Sequence, residues 1–191
     1  MITKENFDTL RTELSVKSKN GVDFTLAAML VWLVISLIWM LNIKAYDKSI
    51  LTFMVGGVML PLALLLSKML KTTWTNKDNP LQPLGLWLNF AQLFYFPFLV
   101  FALIKMPEYF VMVYVIITGA HFFPYAWFYK TKLYAIFAGL IAVGALVLGL
   151  ILTVEKMHIL PLSMSALLLI LSILLYFDSR KKLQELISNS K

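Results

Sequence analysis

Six uncharged, mostly apolar stretches, at residues 24–43, 49–67, 86–104, 109–129, 133–154 and 159–177, leave this chain few ways to fold. Each is long enough for a helix rising about 1.5 Å per residue to cross a hydrocarbon layer about 30 Å thick, and longer than an ordinary buried core helix needs. With 60% hydrophobic residues, 14% charged residues and a mean hydropathy of +0.81, the chain lies outside the range of soluble globular domains. The polar remainders, residues 1–23, 71–85 and 178–191, are each too short to bury a core. The expected fold is therefore all-α: one integral membrane domain over residues 1–191, a bundle of six transmembrane helices.

The net charge of +7 does not point to nucleic acid, because the basic residues sort by side. Lys4, Arg11, Lys17, Lys19, Lys68, Lys71, Lys77, Lys130, Lys132, Arg180, Lys181, Lys182 and Lys191 fall on one side, and only Lys44, Lys48, Lys105 and Lys156 on the other. Basic residues in short loops stay in the cytoplasm during insertion, so both termini are expected there, in a plasma or inner membrane. The polar first 23 residues do not read as a cleavable signal peptide. Zero cysteines exclude disulfides, thiolate metal sites and thiol catalysis.

Residues 3–19 read as a short amphipathic interfacial helix, with Thr3 as cap, Phe7, Leu10 and Leu14 on one face, and Asn20-Gly21 as its stop. Most spans are joined by tight links that make them antiparallel neighbours. The exception, 71–85, carries Pro80, Pro83 and Gly85 and is the only loop long enough to cover a cavity. Trp87, Trp127, Tyr129, Tyr134 and Tyr176 at one boundary, and Trp39, Tyr46 and Tyr109 at the other, read as interface anchors. Small residues four apart in the fifth span (Ala135 and Gly139, Ala138 and Ala142, Ala145 and Gly149) allow close helix approach and suggest a central place for that span.

Chemistry has few places to reside. In the fourth span Tyr114, Thr118, His121 and Tyr125 recur at four, three and four residues, which puts them on one helix face; in the third, Asn89 and Gln92 share a face. The short link at Lys105–Glu108 sets these spans side by side, so the two sets can meet. They read either as a small cytoplasm-facing binding pocket with His121 as its titratable group, or as interhelical hydrogen-bond glue. Gly56, Gly57, Pro61, Pro97 and Pro124 are hinge candidates, since each proline removes an intrahelical hydrogen bond.

Away from their ends the spans hold no Asp, Glu, Lys or Arg, which argues against ion-coupled carriers and voltage sensors. No catalytic signature is present, and the two histidines, His121 and His158, lie at different depths, so no metal, haem or other cofactor is expected. Asp23 and Asp178 read as solvated, locally neutralised helix ends.

Gly56-Gly57 followed by Pro61 and Ser67-Lys68, Asn79-Pro80-Leu81 in the long loop, and Gly119-Ala120-His121-Phe122 leading to Tyr129 resemble an uncharacterised bacterial family of small multi-span membrane proteins, a domain of unknown function. The similarity covers about residues 24 to 150. It implies a bacterial inner-membrane protein without assigned activity or site residues.

The function expected from these features is non-enzymatic: sensing or partner binding through the polar pocket, with the lipid bilayer, another membrane protein or a second copy as partner. The rival is a small-molecule transporter or channel-like carrier, acting alone or as a homo-oligomer.

Overall fold

The structure, a computed structural model, describes residues 4–189. All regular elements among them are helical: α1 (Lys4–Lys17), α2 (Val22–Met40), α3 (Ala45–Gly56), α4 (Met59–Leu70), α5 (Gln82–Leu93), α6 (Phe96–Lys105), α7 (Phe110–His121), α8 (Phe123–Phe128), α9 (Leu133–Ile151) and α10 (Ile159–Asn189), with three short 3-10 turns. They make six segments long and apolar enough to cross a membrane. Thr3, the expected cap of α1, lies outside the described residues, as does Lys191.

Spans one, five and six are single helices; two, three and four are each broken into two. The breaks fall at Gly57–Val58, Phe94–Tyr95 and Phe122, two to four residues ahead of Pro61, Pro97 and Pro124. A proline has no N–H to offer the carbonyl four residues back and its ring crowds that carbonyl, so the helix ends there and each proline sits in the first turn of the next segment. The helix interruptions thus fall just upstream of the three prolines. The sixth helix runs to Asn189 rather than ending near 177, because Arg180, Lys181, Lys182 and Glu185 are good helix formers that continue it past the apolar stretch.

The first and last spans form the axis of the bundle. Hydrogen bonds fix their antiparallel register: the Ser165 hydroxyl donates to Met29 O at 2.9 Å, Ser172 to Thr25 Oγ1 at 2.8 Å, and Ser36 to the His158 carbonyl at 3.1 Å. Leu160, Met164, Leu168, Leu171 and Leu175, spaced four, four, three and four apart, bury the facing stripe of α10. α2 also holds α3 and α4, with Trp39, 2% exposed, donating its indole N–H to Thr52 Oγ1 at 2.9 Å.

The second close pair is α7 with α9. A Cβ on Gly119 would lie 2.5 Å from Ile141 and 3.2 Å from the backbone of Ala142, and one on Gly149 would strike Met112. Small residues here permit backbone approach where lipid supplies no hydrophobic drive. The fifth span is nevertheless not central: 33% of its apolar window is buried against 61% for the first span, and nothing lies within 4 Å of where Cβ atoms of Gly139 and Gly144 would be. The third span is more peripheral still, with 11% of its window buried and only Leu99 and Ala102 fully enclosed.

The aromatic belts divide in the same way. Trp87, Trp127, Tyr46, Tyr109 and Tyr176 are exposed, but Trp39, Tyr129 and Tyr134 are buried and belong to the packing of the protein, not to its lipid boundary.

Candidate functional site

The four fourth-span residues occupy the inward side of α7 and α8 but do not assemble one pocket with the third span. Tyr114 turns away from the others, its hydroxyl seated where Gly56 leaves space, with its ring 5.1 Å from Trp32 and 6.0 Å from Phe110. Gly57 caps α3 beside it. Thr118 and Tyr125 are buried, and their hydroxyl oxygens have no hydrogen-bond partner among the described residues. His121 is half-buried, edge-on to Tyr125 at 5.3 Å.

Asn89 and Gln92 do not complete this set. Asn89 is exposed and donates to Gly85 O of its own helix at 3.1 Å, while Gln92 is half-buried; among the described residues no hydrogen bond joins either to the fourth span. The neighbouring spans touch lower down, where Gly85 admits the ring of Phe128. Spacing put Asn89 and Gln92 on one face correctly, but the weak packing of the third span lets that face turn outward.

The dense polar chemistry lies instead at the end of the bundle that carries both termini, and its first element is an elbow. Lys19, Asn20 and Gly21 all have positive φ, at 49°, 56° and 73°, which Gly and Asn tolerate best. The elbow stops α1 and starts α2 one residue later. Asn20, completely buried, then ties four segments: its side chain accepts from Ser15 and donates to Leu175 O at 3.0 Å and to Asp178 at 2.9 Å, while its carbonyl accepts from the Tyr134 hydroxyl at 2.7 Å.

The second element is Asp23, which is not a solvated helix end. It is 1% exposed and accepts from Thr72 Oγ1 and Trp74 Nε1, both at 2.6 Å, and from its neighbour's N–H at 3.0 Å. Burying a carboxylate requires such partners, and the long loop exists in this form to supply them. Trp74 also stacks on Phe24 at 4.7 Å. Asp178 is closer to expectation, paired with Lys182 at 2.7 Å and partly exposed.

The third element is Glu13 of α1, which grips the loop. Its carboxylate accepts from Asn76 at 3.0 Å, Asn79 at 2.9 Å and Lys17 at 2.6 Å, and Asn79 also donates to Leu10 O. The loop 71–85 therefore packs on α1 instead of covering a cavity. On the far side of α1, Arg11 lies over the Trp127 ring at 4.7 Å and donates to Trp127 O, while Asp8 pairs with Arg11 at 3.1 Å and Lys130 at 3.3 Å. The Lys130 ammonium bonded to Asp8 holds that carboxyl below its usual range. Composition alone did not reveal this assembly, because Asp23 and the residues that satisfy it stand about fifty positions apart.

The hydrogen bond from Lys17, aided by those from Asn76 and Asn79, likewise lowers the Glu13 carboxyl against the opposing effect of burial. A carboxylate depressed in the folded state stabilises it above the unfolded value, about pH 4.3, and loses that contribution as pH falls toward the folded value. A spin label at Lys77→Cys should accordingly be immobile at neutral pH and gain mobility as the pH drops below about 4. With Glu13→Gln the label should be mobile already at pH 7; an unchanged spectrum in that variant would show that Glu13 does not hold the loop.

A model of a family of unknown function, DUF7010, matches residues 7–178 of the chain. The protein belongs to that family. The DUF7010 match takes in the first five spans, the sixth as far as residue 178, most of α1 and the whole loop, so Glu13, Asn20, Asp23, Asn76 and Asn79 lie inside it, whereas Lys182 lies beyond. It also extends past the stretch 24–150 on which the motif resemblance rested. No curated protein and no solved structure matches the chain, so DUF7010 membership leaves the activity to be argued from the residues.

Proposed function

We propose that this is a non-enzymatic membrane protein that acts by binding at its terminal face, not by passing a solute through the bundle. The observation that carries the reading is the convergence of α1, the 71–82 loop, the turn before α9 and the end of α10 on one interlocked surface through Asn20, Asp23, Glu13 and Lys182. Such a network holds polar groups in fixed places, which suits recognition. The thirteen-to-four division of basic residues supports placing this face in the cytoplasm, beneath a plasma membrane. The motif resemblance suggests that the membrane is bacterial.

One observation favours the rival reading, transport. The hydroxyls of Thr118 and Tyr125 lack partners beside half-buried His121, at the helix break of the fourth span, and a conformation that admits water there would satisfy them.

The absence of native cysteine lets single substitutions decide between the two. In proteoliposomes, Lys132→Cys is expected to react quickly with a membrane-impermeant maleimide from one side. Thr118→Cys should react at least about a hundredfold more slowly from either side, as expected for a position reached only through an opening that costs nearly 3 kcal/mol. Comparable rates at both positions would overturn the binding reading in favour of a water-filled pathway.

A further inference from the structure

The geometry points to an anion site on the terminal face: a cleft between α1 and the start of α9 that takes a phosphate group. It rests on the binding reading above and names the ligand class. The cleft measures about 380 Å³ and is walled by Arg11, Trp127, Lys130, Thr131 and Lys132. It lies between the end of the fourth span and the start of the fifth, and the ends of spans are where headgroups meet a membrane protein.

Its floor is a helix start without a cap. Lys130, at φ 52°, reverses the chain after α8, and the first backbone bond of α9 runs from Ile136 N to Lys132 O at 3.1 Å. Among the described residues no acceptor meets the N–H groups of Lys132, Leu133, Tyr134 and Ala135, and no side chain caps them. Such N–H groups, at the positive end of a nineteen-residue helix, favour an anion.

A second observation is independent of the helix. Thr131 is 7% exposed and lines the cleft, yet its hydroxyl has no hydrogen-bond partner among the described residues. The residue is enclosed on its other sides, so its hydroxyl reaches only the cleft, where no described residue offers it an acceptor. An oxygen seated in the cleft would accept from it.

The charges add a third. Arg11, Lys130 and Lys132 set three cations around the cleft, and among the described residues Asp8 is the one carboxylate paired with any of them, reaching Arg11 and Lys130 but not Lys132. Cations beside the positive end of a helix are unfavourably placed unless a negative group lies between. The donors available are two ammonium groups, a guanidinium edge, a hydroxyl and several N–H groups. They exceed what two carboxylate oxygens can use and suit the three or four oxygens of a phosphate. That phosphate comes from an anionic lipid headgroup or from a soluble phosphate compound.

Calorimetric titration of the full chain in neutral detergent separates these sources. The probes are dioctanoyl phosphatidylglycerol, dioctanoyl phosphatidylcholine and inorganic phosphate. Phosphatidylglycerol is expected to bind more tightly than phosphatidylcholine. Lys132→Gln and Thr131→Val should each weaken it about fivefold, the first by the roughly 1 kcal/mol of a basic group at a membrane surface and the second by the similar worth of one hydrogen bond. Lys181→Gln, on the exposed end of α10, should leave it unchanged. Binding of inorganic phosphate with the same variant pattern would support the site and identify a soluble ligand. Equal losses for Lys181→Gln and Lys132→Gln would reduce the effect to diffuse surface charge and overturn the site, as would no binding of either anion. Melting temperatures of the variants without ligand confirm that each is folded. A failed titration removes the phosphate site alone, whereas fast labelling at Thr118→Cys removes the binding reading beneath it.

Discussion

Replacing Asp23 with alanine is expected to destabilise the protein by about 3 kcal/mol and to release the long loop. The carboxylate is buried, and its loss strands the Trp74 N–H and leaves Thr72 with only Ser67. An unpaired buried donor costs about 1–3 kcal/mol, and bonds to a charged acceptor lie at the strong end. Removing a buried charge returns some of that loss, so Asp23→Asn, which keeps the shape and one acceptor oxygen, should lose only about 1 kcal/mol. Denaturation in mixed detergent micelles gives the stability difference, and trypsin cleavage after Lys71 or Lys77 reports the loop. Wild-type stability in Asp23→Ala, with the loop still resistant to trypsin, would return Asp23 to the role of a solvated helix end.

The second large effect is expected at Gly119. Valine there should cost about 3 kcal/mol, the upper part of the range for overpacking. Its Cβ would fall 2.5 Å from Ile141 and 3.2 Å from the backbone nitrogen of Ala142, and backbone cannot swing aside. The helices α7 and α9 would have to separate along their length. Gly149→Ala meets Met112, a flexible side chain that can move, so a loss of about 1 kcal/mol is expected there. Gly139→Ala and Gly144→Ala face open space and should be neutral or slightly stabilising, alanine being the better helix former. The same denaturation assay orders the four; equal effects at Gly119 and Gly139 would mean that α7 and α9 are not in close contact.

These glycines show where the sequence was readable and where it was not. Runs of twenty apolar residues announce spans, since length against bilayer thickness is a strong constraint. Prolines announced the three interruptions as well, offset because the carbonyl that loses its partner lies four residues earlier. Which face of a span meets protein was hidden. Lipid tails are as apolar as leucine, so the pattern that marks a core helix in water carries little information here. Phe94, 83% exposed, and Ile35, fully buried, look alike in sequence. Of the three small-residue pairs read on α9, Ala138 with Ala142 and Ala145 with Gly149 lie toward α7 while Gly139 of the remaining pair faces open space, and the matching Gly119 on α7 could be identified only in space.

The polar residues divide in a similar way. Thr118 and Tyr125 avoid lipid, as their spacing required, but spacing said nothing of Asn89, whose helix is held by few neighbours and presents it outward. The terminal assembly depends on the path of the 71–85 loop. That path becomes meaningful only once Asp23, Glu13 and Asn20 are known to lie beneath it.

The pairing of α2 with α10 also bears on how the molecule is made. Synthesis delivers α2 well before its partner, which starts 119 residues later by the difference between Met40 and Ile159. At translation rates of about 5–20 residues per second, α2 waits on the order of ten seconds. Throughout that interval Thr25 and Ser36 stand against lipid or the insertion machinery, and the elbow at Asn20 lacks Leu175 and Asp178. The fold closes as a ring closes, and a nascent chain is at its most vulnerable until α10 arrives.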